Sequence, residues 1–263
     1  MKVLIVYAHP EPRSLNGALR DFAVTHLRDS GHEVMVSDLY AMGWKAALDG
    51  DDFLNRDASA PLKVELASKY AFANNAQSAD IAAEQKKLLA ADAVILQFPL
   101  WWFTMPAILK GWVERVYAYG FGYGVGEHSE RRWGDRYGEG TFKGKRAMLI
   151  VTAGGWAEHY AERGINGRID DLLFPINHGV LHYPGFDVLP SFVIYRTGRM
   201  DEARYLRTRA ELGERLDTLW TAQPIPYRMQ NGGDYHIPSM QLKSELGIGR
   251  QGLDIHLDER RSG

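Results

Sequence analysis

The chain has no cysteine among its 263 residues, which excludes disulfides, thiolate metal sites and cysteine nucleophiles. No apolar run reaches the length that spans a bilayer. Neither sign of charge dominates: 31 Lys and Arg against 33 Asp and Glu leave a formal charge of −2, without the basic surplus that marks a nucleic-acid partner. Internal repeats and low-complexity segments are missing too. The opening KVLIVYA lacks the shape of a signal peptide and reads as a strand, so a cytoplasmic protein is expected. What remains is a chain long enough for one large core, or for a core plus an appendage.

The most informative stretch is Val94 to Tyr117, VILQFPLWWFTMPAILKGWVERVY. Its first part is an apolar run with no alternating polar face, the pattern of a strand covered on both sides at the centre of a parallel sheet. Pro106 suits the first turn of a helix, where its missing N–H has no hydrogen-bond use. Ligands of open α/β sheets sit outside the carboxyl ends of the strands, and Leu100 to Thr104 occupy that place. Trp101, Trp102 and Phe103 offer apolar faces to a flat heteroaromatic ring while leaving backbone N–H groups for its edge atoms. The same cluster serves equally as a plug on the core, and the loop alone does not choose.

In chain order, Val3 to Ala8 reads as a buried strand, followed by the turn His9 to Arg13 and a helix from Ser14 to Ser30 with Ser14 as N-cap. The turn holds neither GxGxxG nor GxxxxGK. Free N–H groups at the helix start, with His9, Arg13, Ser14 and Asn16, suit a pyrophosphate; a bare cap and a buried strand-end histidine are the competing readings. Glu33 to Tyr40 is a second strand, Gly43 to Ala76 a long excursion with some helix, and Ala79 to Ala90 a helix. The loop Gly120 to Gly126 alternates glycine with aromatic and aliphatic residues, as a mobile cover for a planar ligand or a simple connector would. A strand from Lys145 to Thr152 ends in Thr152-Ala153-Gly154-Gly155-Trp156, and the two glycines let backbone N–H groups approach an electron-rich ring edge. Arg168 to Tyr183 reads as a helix, Phe186 to Tyr195 as the fifth strand and Asp201 to Ala222 as an amphipathic helix. His178 and His182 have the spacing to share a metal, but no third ligand is placed to complete a site. Residues 1–222 are therefore expected to form one α/β unit and 223–263 an extension.

The words themselves add a family. FPLWWFTMPAILKGWVERV closely resembles the FPL-x-WF-x-x-PAILKGW-x-ERV segment of the flavin-dependent NAD(P)H:quinone oxidoreductases of the DT-diaphorase type. AHPEPRSLN, SDLYAM and LLFPINHGVLHYPGF resemble further segments, so the likeness runs over roughly residues 3 to 222. It implies a flavodoxin-like, doubly wound sheet of five parallel strands in the order 2-1-3-4-5, with helices on both faces. It also implies a homodimer that passes hydride from NADH or NADPH through FAD to a quinone in a ping-pong cycle. The resemblance assigns flavin contacts to His9, Arg13, Ser14, Leu15, Asn16, Pro99, Leu100, Trp101, Trp102, Phe103, Thr152, Ala153, Gly154, Gly155 and Tyr160, and the adenosine end to Arg204. Trp102, Phe103, Tyr123, Gly155 and Trp156 would wall the substrate, Tyr123 from the partner subunit, and Tyr160 and Asn166 would take the catalytic positions. Several positions depart from the family pattern. Asn166 replaces a histidine and cannot carry a proton, Val125 replaces a second tyrosine, Trp156 is bulkier than usual, and residues 127–137 look inserted. An FMN-dependent azo, nitro or flavin reductase is the nearest alternative, since the phosphate loop does not separate FAD from FMN. A regulatory flavoprotein subunit of a potassium-efflux transporter is a second, against which chain length argues.

Overall fold

A strand without a polar face must be covered on both sides, and in the computed structural model β3 (Ala93–Pro99) is buried along its whole length. The structure describes residues 1–258 and residue 260; residues 259 and 261–263 of the expected extension lie outside them. β3 pairs in parallel with β1 (Lys2–Tyr7) on one side and β4 (Arg146–Thr152) on the other, and β2 (Glu33–Asp38) lies beyond β1. The order β2-β1-β3-β4-β5 is that of the flavodoxin-like fold.

Helices cover both faces. α1 (Leu15–Asp29) and α6 (Glu202–Asp217) share one buried cluster with the sheet, through Ile5, Leu19, Leu27, Ile95, Leu212 and Leu216. On the other face lie α3 (Ala79–Ala90), α4 (Ala107–Val116) and α5 (Ile169–Phe174), with Leu88, Leu96, Leu109, Trp112, Leu149 and Leu173. Among the described residues no helix is long and apolar enough to cross a membrane.

Two elements are interrupted against expectation, each at a proline. The fifth strand is not continuous but divides into β5 (Asp187–Val188) and β6 (Phe192–Ile194), both paired with β4. Pro190 stands between them and has no N–H to give the ladder. The helix expected over Arg168 to Tyr183 is regular only in α5; from Pro175 to His182 it widens, and the Tyr183 N–H donates to the His178 carbonyl five residues back at 3.0 Å. The second strand and the last helix are also shorter than expected, ending at Asp38 and Asp217.

The excursion after β2 carries α2 (Val64–Ala73) and is pinned to α4 by buried charge. Arg115 donates to Asp52 Oδ1 through Nη2 at 2.8 Å and Nε at 3.1 Å, and pairs with Asp80 at 2.8 Å. Its guanidinium lies 4.5 Å over the Trp44 ring. The C-terminal segment contains no long element, yet it is packed: Tyr227, Arg228, Gln230 and Asp234 are buried. Residues 127–137 form its seat, since the Arg136 Nε donates to Gln230 Oε1 at 2.8 Å and the Gln230 Nε2 to the Gly134 carbonyl at 3.0 Å.

Candidate active site

The carboxyl ends of β1, β3 and β4 open into three loops along one edge of the sheet. In the first, Ser14 caps α1, its Oγ accepting the Gly17 N–H at 3.2 Å. The Glu11 N–H lies 3.1 Å from His9 Nδ1, and the Ser14 hydroxyl lies 3.0 Å from the same ring nitrogen. The Glu11 carbonyl also lies 3.1 Å from it, so Nδ1 either accepts the Glu11 N–H or donates to that carbonyl, according to the tautomer. Among the described residues the N–H groups of Leu15 and Asn16, at the start of α1, have no acceptor. With the helix dipole they form an anion seat. Arg13 is turned to Glu11 instead, at 3.0 Å, and this pairing holds the exposed Glu11 carboxyl below its ordinary range.

Asn16 is buried, and its Nδ2 donates to Thr152 Oγ1 at 2.9 Å, while Gln97 Nε2 donates to the Asn16 carbonyl at 2.7 Å. These bonds join the first loop, the central strand and the end of β4. Sequence reasoning missed Gln97, although a lone glutamine in the apolar run AVILQFP is a visible signal.

In the second loop Trp101 and Thr104 exchange N–H···O bonds of 3.1 Å around a two-residue turn. Both central residues, Trp102 (φ 48°) and Phe103 (φ 63°), are left-handed, the geometry usually given to Asn-Gly. Holding bulky side chains there costs about 1 kcal/mol each, and such strain gathers at ligand clamps. The result is a shelf: Trp102 is 93% exposed, and the N–H groups of Trp102 and Phe103 have no acceptor among the described residues. His9 reaches Trp101 with ring centroids 6.1 Å apart, so the anion seat adjoins the shelf. Pro99 closes the strand, and the Leu100 N–H donates to the Thr152 carbonyl at 2.8 Å.

The third loop is held by the Ala153 N–H donating to the Ile194 carbonyl at 2.7 Å and the Arg196 N–H donating to the Gly155 carbonyl at 2.8 Å. The N–H groups of Gly154 and Gly155 keep no acceptor among the described residues. A Cβ on Gly155 would stand 2.9 Å from the Tyr160 ring, so only glycine lets Tyr160 lie on this backbone. Asn166 follows through its N–H to the His159 carbonyl at 3.0 Å, and its carboxamide has no hydrogen-bond partner among the described residues. Tyr123 is not brought to these loops within one chain; it packs on Tyr119 at 5.3 Å, and burial raises its hydroxyl pKa.

Comparison with known proteins fits this edge. A family model described as a flavodoxin-like fold matches residues 1–216. A crystal structure of a protein from Klebsiella pneumoniae, provisionally described as a quinone reductase, is 66% identical and superposes with a TM-score of 0.96, covering 98% of this chain and all of that one. A ribosyldihydronicotinamide dehydrogenase-like protein of Penicillium crustosum is 57% identical over 97% of this chain and 95% of its own length. NAD(P)H dehydrogenase [quinone] 1 of Rattus norvegicus is 38% identical over 85% of this chain and 79% of its own. The chain belongs to the NAD(P)H:quinone oxidoreductase family, with its flavodoxin-like fold.

Within this oxidoreductase fold, the other positions divide. Trp156 borders a cleft of about 390 Å³ beside β6, with the Arg196 guanidinium 3.7 Å over its ring. Arg204 lines the same cleft, and its two terminal nitrogens each donate to a backbone carbonyl, Nη1 to Arg196 at 2.8 Å and Nη2 to Tyr195. His178 and His182 gather no third ligand: among the described residues no group of His, Asp and Glu is arranged to hold a metal.

Proposed function

We propose that this protein is a cytoplasmic, homodimeric flavoenzyme that carries hydride from NADH or NADPH through FAD to a quinone by a ping-pong mechanism. The observation that carries the reading is one sheet edge on which partnerless N–H groups of Leu15, Asn16, Trp102, Phe103, Gly154 and Gly155 surround exposed aromatic rings. That set fits a flavin, with its anionic phosphates, flat apolar faces and electron-rich edge. Bound FAD supplies the two-electron chemistry. His9, Ser14 and the start of α1 hold the phosphates; Trp101, Trp102 and Phe103 support the ring; Gly154 and Gly155 orient its edge. Tyr160 donates a hydrogen bond where negative charge gathers, an electrostatic effect of the oxyanion-hole type. Asn166 adds a donor but holds no transferable proton. Trp102 stands 93% exposed because, on this reading, the partner subunit forms the opposite wall, with Tyr123 reaching across. Residues 1–222 are the catalytic unit and 223–263 the extension, whose described part packs upon it.

The purified protein is expected to be yellow, to release FAD on heating, to bleach with NADH under anaerobic conditions and to recolour with menadione. A colourless protein that takes up no FAD would sink the assignment. Release of FMN instead would move it to the FMN-dependent reductases. The name of the Penicillium relative points to a donor without phosphates, so dihydronicotinamide riboside and NADPH belong side by side in the stopped-flow assay.

Tyr160→Phe is expected to slow flavin reduction by on the order of 10², the cost of one preorganised donor, with FAD affinity little changed. An unchanged rate would remove Tyr160 from the mechanism. Trp102→Gly is expected to stabilise the apo fold by about 1 kcal/mol in urea titration, because the left-handed backbone is then free of strain and an exposed side chain is lost. The same variant binds FAD more weakly, and loss of stability instead would show that the indole packs on the fold.

A further inference from the structure

Away from the sheet edge, the start of the C-terminal extension, the segment ending at Tyr137 and the widened turn after α5 enclose a cavity of about 300 Å³. It shares no residue with the three loops of the candidate active site. An apolar cavity of about 150 Å³ already holds benzene, so two fused rings fit here. Most of its polar lining is occupied. Arg228 donates to Asp234 at 2.7 Å and to the Ile255 carbonyl at 3.0 Å, Gln230 is engaged by residues 133–136, and the Tyr235 hydroxyl bonds His256 Nδ1 at 2.9 Å.

His178 is different. Its ring is stacked between Phe174, at 4.5 Å, and Tyr137, at 4.6 Å, so both faces are covered and only its edge is left. Among the described residues neither ring nitrogen has a hydrogen-bond partner. Burial, reinforced by His182 and His256, lowers its pKa to about 3, so the ring is neutral at pH 7. A neutral imidazole offers one N–H and one lone pair and holds no charge for an anion. The mechanism proposed above uses none of these groups.

We propose that this cavity is a second binding site, separate from the flavin cleft, for a neutral planar hydroxyaromatic compound of one or two fused rings, whose hydroxyl pairs with the edge of His178. Tyr137, Tyr235 and Met240 enclose the ring, and the hydroxyl supplies the partner that His178 lacks. The class includes simple phenols, naphthols and hydroquinones of that size.

The test uses 2-naphthol titrated into the FAD-supplemented protein, followed by calorimetry and by the histidine Hε1 resonances. Expected are one site per chain, movement of the His178 and His256 signals, and the same isotherm with saturating menadione present. His178→Leu should weaken 2-naphthol binding roughly tenfold while the KM for menadione stays within twofold. Met240→Trp, which fills the cavity and leaves His178 in place, should abolish the site and covers the case in which His178→Leu does not fold. Absence of saturable binding, displacement of 2-naphthol by menadione, or unchanged affinity in the folded variants would each overturn the proposal.

Discussion

Gly17→Ala is expected to weaken FAD binding by about 10- to 100-fold while the protein stays folded. A Cβ on Gly17 would fall 1.9 Å from the Pro12 carbonyl oxygen and 2.7 Å from its carbon, and real Cβ contacts do not come under 3.0 Å. The turn must therefore move by more than 1 Å, because the obstacle is backbone and not a flexible side chain. Alanine improves helix propensity by up to about 1 kcal/mol, which protects α1 itself. The displaced group is the turn that carries His9 and Ser14 to the anion seat, and one charge-assisted hydrogen bond, at about 1.5–3 kcal/mol, goes with it. Fluorescence titration of apoprotein with FAD, with far-UV circular dichroism as the folding control, measures the effect. A folded variant with unchanged affinity would remove the first loop from the cofactor site.

Arg115→Ala is expected to cost about 3 kcal/mol of stability, read as the shift of the urea midpoint at fixed protein concentration. The side chains of Arg115 and Asp52 are 2% and 1% exposed, so removal of the guanidinium strands a carboxylate out of water. Breaking such a pair costs about 3–5 kcal/mol; the lower end applies because Lys45 Nζ remains 3.1 Å from Asp52. The contact with Trp44 is lost as well. Arg115→Met combined with Asp52→Asn should recover much of the loss, since no buried carboxylate is then left unpaired and Asp80, the other partner of Arg115, is 40% exposed to water. If the double variant is as unstable as the sum of its parts, packing rather than charge holds the excursion.

Gly111 shows why part of this was hidden. In PAILKGW it reads as an ordinary helix interruption, yet a Cβ there would stand 1.8 Å from the Ala46 carbonyl oxygen. Gly111 and Arg115 are one turn apart on α4, and both face an excursion that has no periodic pattern of its own. Local spacing could announce α4 but not what packs against it. The Arg196–Trp156 stack is a similar case, because it depends on the β4–β6 pairing that sets the two residues side by side.

The strands and helices were legible wherever burial imposes a period. The apolar runs of β1, β3 and β4, the stripe on α1 and the cap at Ser14 all reported their places directly. The candidate site was legible as loop contents at the carboxyl ends of those strands, and the strained turn under Trp102 and Phe103 was not, since the words WWF carry no sign of a left-handed backbone. The sequence alone thus determined the fold class and the chemical character of each loop, through periodicities and residue types that act locally. Only the tertiary structure decided which N–H groups stay unpartnered, which side chains Asn16, Arg13 and Arg204 spend on the protein itself, and that the C-terminal extension closes a cavity on His178. Those outcomes depend on contacts between residues far apart in the chain, where no local pattern records the partner.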